Sequence, residues 1–282
     1  MNKLLPTDPE FCIITPISYL SHALRSHRHL VLAHLVDESD EYAAFYKQRS
    51  VEGDYIIQDN SAYEKLIPYS PERLIELGHK CGADAIVLPD YPFQPAQKTI
   101  DAAIEFIPQF KEAGMHSFFV PQSEQGNLED WIRAYVWAAN NPNVDIIGMS
   151  ILGIPNALPA IDPAFARVVM VQLLQDRKLF NYNTYHHFLG LNSGAGLEIP
   201  SLLRMNALTS VDSSGPVLAG ILGHEYTTDA DSLQTVKKLK IPVDFHMKHI
   251  KDNTTDVRIQ HNIDLTLGLF IEKRPTAWYA QE

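Results

Sequence analysis

Short apolar runs rich in Ile, Val and Phe alternate along this chain with stretches of helical period, at intervals of about 30 residues. That alternation constrains the fold most tightly. Strands are predicted at "FCIIT" (11–15), "DYIIQD" (54–59), "AIVLPD" (85–90), "HSFFVPQ" (116–122), "DIIGMSI" (145–151), "HHFLGLN" (186–192), "SVDSS" (210–214) and "IPVDFH" (241–246). Amphipathic helices are predicted between them. One opens at Ser70-Pro71 and stops at Gly82, another opens at Asp162-Pro163, and two more cover 96–114 and 127–141. Strand, helix, strand in succession makes βαβ units and a parallel sheet. About eight such strands in about 250 residues predict an α/β fold, a (β/α)8 TIM-type barrel in one domain spanning 1–282. A doubly wound open sheet is the alternative, but neither a G-x-G-x-x-G after a strand nor a Walker A pattern is present.

The 282 residues are 45% hydrophobic and 20% charged, ordinary for a globular protein. No run of about 18 apolar residues occurs, so no membrane partner is expected. The N-terminal "MNKLLPTDPEFCIITP" is too interrupted by Pro6, Asp8, Pro9 and Glu10 to read as a signal peptide. Cys12 and Cys81 are the two cysteines and form no C-x-x-C pair, which excludes a thiolate zinc site and suits a reducing cytoplasm. A net charge of −11 argues against non-specific coating of nucleic acid. The basic concentrations are "LRSHRHL" (24–30) and 236–251, each read as a solvated face or a local contact for phosphate. His246 and His249 in "HMKH" have the spacing of a helical metal pair, with His261 further on, but lack the H-E-x-x-H glutamate. They are read as ordinary histidines, and no metal is assigned.

Polar residues recur at the predicted strand ends. Asp59 follows one strand, Asp90 another and Gln122 a third. "GMS" follows Ile147, "GLN" follows Leu189 and "VDSS" follows Ser210. In a barrel these ends converge on the face that carries active sites. Three carboxylates and an amide would then share a pocket rimmed by Gly148 and Gly190. Singly, each such residue is a turn former or a helix cap; Asp212 lies in "VDSSGP", which reads equally as a surface turn.

No cysteine lies at these strand ends, so carboxylates are the chemical groups on offer. Two aspartates in one cleft can divide labour as nucleophile and proton shuttle, which suits substitution at an acetal-like carbon with retention. A third acid with an amide suits a base that presents adjacent N–H donors and a carbonyl acceptor. Guanine presents that edge.

These segments, in order over about residues 55–220, resemble the queuine and archaeosine tRNA-guanine transglycosylases, and more closely their DNA-directed 7-deazaguanine relatives of phages and bacteria. "QDNSAYE" resembles the Asp-Ser-Gly-Gly-(Phe/Tyr)-Gln segment, which implies Asp59 as acid/base and Tyr63 as the aromatic on the bound base. "VLPDYPFQPAQ" resembles the base-reading segment, implying Asp90. "FFVPQSEQG" resembles the Val-Gln-Gly-Gly strand end, implying Gln122, with Gln125 as alternative. "IIGMSILG" resembles the glycine turn whose N–H meets the base carbonyl, here Gly148. "FLGLN" resembles Met-Gly-Val-Gly, here Leu189 and Gly190, and "VDSSGP" resembles Phe-Asp-Ser-Ala, implying Asp212 as nucleophile.

The resemblance implies exchange of a guanine in nucleic acid for a free 7-deazaguanine base, with no cofactor. It departs from the family in two places. Ser61-Ala62 stands where the family has Gly-Gly, and the zinc-binding C-x-C-x-x-C subdomain of the tRNA enzymes is missing. The first implies a different backbone near the base; the missing zinc subdomain favours DNA over tRNA as the nucleic-acid partner. An oligomer is allowed. The rival expectations are a tRNA-directed enzyme, a non-catalytic partner subunit and a metabolic barrel enzyme.

Overall fold

A computed structural model describes residues 3–62, 69–191, 194–227, 244–250 and 252–271. The protein is a (β/α)8 TIM-type barrel. Its eight strands are β1 (Glu10–Ile13), β2 (Arg28–Leu32), β3 (Tyr55–Asp59), β4 (Ala85–Val87), β5 (His116–Phe119), β6 (Ile146–Gly148), β7 (Tyr185–Phe188) and β8 (Ser210–Ser213). All are parallel and run in the order β1-β8-β7-β6-β5-β4-β3-β2. Strands β1 and β2 meet at the seam. There Ser26 Oγ donates to Glu10 Oε1 at 2.8 Å, and the Arg28 guanidinium stands 3.7 Å from Glu10 Oε2.

Seven of the eight strands lie where apolar runs predicted them. The eighth does not. Residues 241–243 of "IPVDFH" lie outside the described residues, and Asp244–His246 form a turn. The remaining barrel strand is Arg28–Leu32, inside the stretch read as a basic face. Arg28 is 2% exposed and His29 is fully buried. Arg28 donates to the Tyr185 hydroxyl, Thr209 O and Asp8 O, and His29 Nε2 lies 2.9 Å from Asp54 Oδ2. Buried charge and imidazole are tolerated because most of their polar atoms are hydrogen-bonded, Arg28 Nε and His29 Nδ1 excepted. Both residues open their strand, at the end of the barrel away from Asp59 and Asp212, so "LRSHRHL" offers no basic face beside the aspartates.

The helices follow their caps. Ser70 accepts from Arg73 N at the start of Pro71–Cys81, Asn127 from Asp130 N before Leu128–Ala139, and Asp162 from Ala164 N before Pro163–Asp176. Each presents a buried stripe to the sheet; Trp131, Ile132, Tyr135 and Ala138 form one of them. The last described helix, Asn253–Ile271, packs on Gly215–Ile221. Asn262 pins it there, donating to Pro216 O and His224 O and accepting from Tyr226 N. No helix among the described residues is long and apolar enough to cross a membrane.

Candidate active site

Strand period sets which side chains meet inside the barrel. In β7, Tyr185 and His187 face one way and His186 the other. His186 stacks on Phe180 and Tyr135 outside the sheet, where burial pushes its imidazole down to about 3. His187 pairs in register with Ser210 of β8 and points at the next inward residue, Asp212.

Asp212 is 6% exposed. Its Oδ1 accepts from Gly190 N at 3.0 Å and lies 2.9 Å from His187 Nε2. Among the described residues nothing donates to Oδ2. Gly190 reaches Asp212 because its φ is +80°, a conformation that other residues adopt only under strain. A Cβ there would also come within 2.8 Å of Ile151. The predicted pair of Asp212 and Gly190 is thus in direct contact.

A second cluster forms across β3, β4 and β5. Asp90 is 7% exposed. Its Oδ1 accepts from Asn60 Nδ2 at 2.8 Å and its Oδ2 from Gln122 Nε2 at 2.6 Å. Burial pushes its carboxyl above the usual range, and the two neutral amides only partly offset that. Gln122 Oε1 is buried without a hydrogen-bond partner, and the nearest approach to Gly153 puts a virtual Cβ 3.2 Å from it. Gln122 is the glutamine of this cluster; Gln125 is exposed.

Asp59 is half-buried at the end of β3, and its Oδ2 accepts from Ser61 N at 3.0 Å. Ser61 has φ +56°, a left-handed conformation that glycine adopts most readily. Its Oγ accepts from His34 N at 3.1 Å and lies 3.0 Å from His34 Nδ1. Between the clusters, Gly148 leaves no room for a side chain. A Cβ would stand 2.6 Å from Phe118, 2.9 Å from Val120 and 3.0 Å from Leu189. Predicted residues Gly148 and Leu189 are therefore neighbours. Tyr63 lies outside the described residues.

Beneath this floor sits a fully buried ion pair, Arg167 with Glu198. Arg167 Nε and Nη2 donate to the two carboxylate oxygens at 2.8 and 2.6 Å, and Nη1 donates to Met149 O and Leu189 O. It ties the ends of β6 and β7 together from behind.

Sequence reasoning missed His187, Asn60, His34 and Arg167. A period-two reading of "YHHF" would have put His187 on the inner face. Asn60 adjoins a chosen aspartate. His34 follows the strand that went unseen, and nothing in the sequence around Arg167 marks it.

The suggested histidine pair divides between carboxylates: His246 Nε2 is 3.1 Å from Glu38 and His249 Nε2 is 3.4 Å from Asp256, on a non-helical segment. His261 Nε2 lies 2.9 Å from Tyr226 O. No group of three or more His, Cys, Asp or Glu is placed to hold a metal ion among the described residues. Lys237 and Lys238, the basic pair of the other concentration, lie outside them. Neither a scan of protein-family models nor a search of curated proteins returns a match to this chain.

Proposed function

We propose that this protein is a base-exchange glycosyltransferase that replaces guanine in DNA with a 7-deazaguanine, such as the 7-cyano form, through a covalent link to Asp212. The observation that carries the reading is the unequal surroundings of two buried aspartates at the same end of the barrel. Asp212 has one oxygen held and the other open, as a nucleophile requires. Among the described residues Asp90 has only neutral donors, beside an unpaired Gln122 Oε1. A buried acceptor group of that kind is stabilised by a ligand that brings N–H donors. The edge of guanine brings three, on N1 and the exocyclic amine.

The chemistry follows. The target guanine leaves the stack, since its glycosidic bond is unreachable within a duplex. Asp212 Oδ2 bonds to C1′ as the C1′–N9 bond breaks, and the electron pair goes to N9, which is protonated by Asp59 directly or through water. The 7-deazaguanine is then read by Asp90, Gln122 and Gly148, beside Leu189 and Gly190. Asp59 takes its N9 proton, N9 attacks C1′, and the Oδ2–C1′ bond returns its electrons to Asp212. Two inversions give net retention. The stage needs no cofactor.

The test is trapping. Wild-type protein incubated with guanine-containing DNA and denatured should carry a DNA-sized mass, and folded Asp212→Asn should carry none. An adduct of undiminished yield in Asp212→Asn would sink the assignment.

A further inference from the structure

We propose that His187 is a positioning residue held as an Nε2–H donor to Asp212, by a one-way hydrogen-bond chain that begins at Arg28 on the opposite end of the barrel. The inference rests on the reading of Asp212 as nucleophile. The chain runs Arg28, Tyr185, Ser210, His187, Asp212. Arg28 Nη1 donates to the Tyr185 hydroxyl at 3.0 Å, and that hydroxyl lies 2.8 Å from Ser210 Oγ. Ser210 Oγ lies 2.6 Å from His187 Nδ1, and His187 Nε2 lies 2.9 Å from Asp212 Oδ1. Every member is buried: Arg28 2%, Tyr185 5%, Ser210 and His187 0%, Asp212 6% exposed.

The direction of the chain is fixed by what its ends are able to do. A guanidinium only donates, so Tyr185 must accept from it. The Tyr185 O–H is then left for Ser210. Burial pushes this phenol well above its ordinary value, so the proton is present throughout the working range. In the proposed chain Ser210, which accepts from Tyr185, gives its own proton to His187 Nδ1. An Nδ1 that accepts leaves the ring hydrogen on Nε2, facing an acceptor oxygen. Reversing the chain would strand the buried Tyr185 O–H without an acceptor, a cost no other contact offsets.

The consequence is geometric. Asp212 Oδ1 is gripped from two sides, by the His187 ring and by Gly190 N, so Oδ2 is the oxygen that forms the bond to C1′. In the covalent intermediate Oδ1 becomes the ester carbonyl oxygen and keeps the same two donors. They are in place again when the Oδ2–C1′ bond breaks and its electrons return to the carboxylate. Phe118 closes the remaining side of the ring, edge-on at 5.5 Å. A histidine locked in this way serves as a fixed donor, and the proton shuttle stays with Asp59.

The test has two arms. In the first, 15N NMR of the ligand-free protein reads the ring nitrogens of His187, assigned by comparison with His187→Gln. The chain requires a protonated Nε2 and a bare, accepting Nδ1 at neutral pH, with that preference lost in Tyr185→Phe. A protonated Nδ1 or an imidazolium in the wild type overturns the proposal. In the second, the rate of adduct formation on DNA should fall about tenfold in Tyr185→Phe and more in His187→Leu, with affinity for free guanine unchanged. His187→Gln, whose amide can accept from Ser210 and donate to Asp212, should recover most of the loss. Equal rates in Tyr185→Phe and wild type overturn the positioning role. If the wild type shows the expected tautomer but never forms an adduct, the nucleophile reading falls and the hydrogen-bond chain stands.

Discussion

Two buried aspartates at opposite ends of the barrel are held in opposite ways. Asp54, just before β3, is 3% exposed. It lies 2.9 Å from His27 Nδ1 and 2.9 Å from His29 Nε2, and accepts from Arg49 Nε at 2.7 Å. Burial alone would raise its carboxyl, but these bonds outweigh burial and hold it well below the usual range. Asp90, just beyond β4, is buried to a similar degree with no cationic partner among the described residues, and its carboxyl is raised. One aspartate is saturated and holds strands together; the other is kept hungry for donors. In TIM barrels generally, the N-terminal ends of the strands carry stability and the C-terminal ends carry sites.

The largest effect tests the saturated member. Asp54→Ala leaves Arg49 and His29 facing a void and should cost about 3–5 kcal/mol, read as a lower midpoint in urea unfolding. A loss under about 1 kcal/mol would break the comparison, since Asp54 would then be no more than a surface pair.

Asp90→Asn should do the reverse. Oδ1 keeps its bond from Asn60, and the new amide finds Gln122 Oε1 once that side chain turns over. Thermal stability should hold or rise. Affinity for free guanine should fall about a hundredfold, the loss of charge-assisted bonds to a buried partner. Calorimetry reads both.

Acidity sharpens the contrast through opposite signs. Asp54 has a lowered folded value, so its stabilisation is present above the unfolded value of about 3.9 and is lost as pH falls through the folded one. The gap between wild type and Asp54→Ala should therefore narrow below about pH 4. Asp90 has a raised folded value, so its contribution is full below about pH 3.9 and is lost as pH rises through the folded one. The advantage of Asp90→Asn should open only as pH rises above about 4, in unfolding curves taken across the range.

The smallest effect concerns the turn beside Asp59. Ser61→Gly relieves a left-handed φ but gives up the hydroxyl bonds to His34. Each is worth about 1 kcal/mol, so the net change in unfolding free energy should be close to zero.

Much of the fold is legible in the sequence. Capping residues and apolar runs marked four helices and seven strands, because those signals are local; helices such as Asp40–Val51, Ala195–Arg204 and Asn253–Ile271 were not marked. Strand β2 was not legible, since Arg28 and His29 are polar residues whose burial depends on Tyr185, Thr209, Asp8 and Asp54 far away in sequence. The contacts between Asp90 and Gln122 and between Asp212 and Gly190 followed from strand ends converging. The contact of His187 with Asp212 did not, because it depends on the register between β7 and β8. The difference between Asp54 and Asp90 is likewise invisible in sequence, where both are strand-flanking aspartates.

The most direct measurement is base exchange by the purified protein. DNA or tRNA is supplied with 7-cyano-7-deazaguanine, digested to nucleosides and read by mass spectrometry, with Asp212→Asn and Asp90→Asn alongside. The account predicts incorporation into DNA by the wild type and by neither variant. Incorporation into tRNA alone would keep the chemistry and overturn the substrate. No incorporation into either by folded wild-type protein would contradict the account.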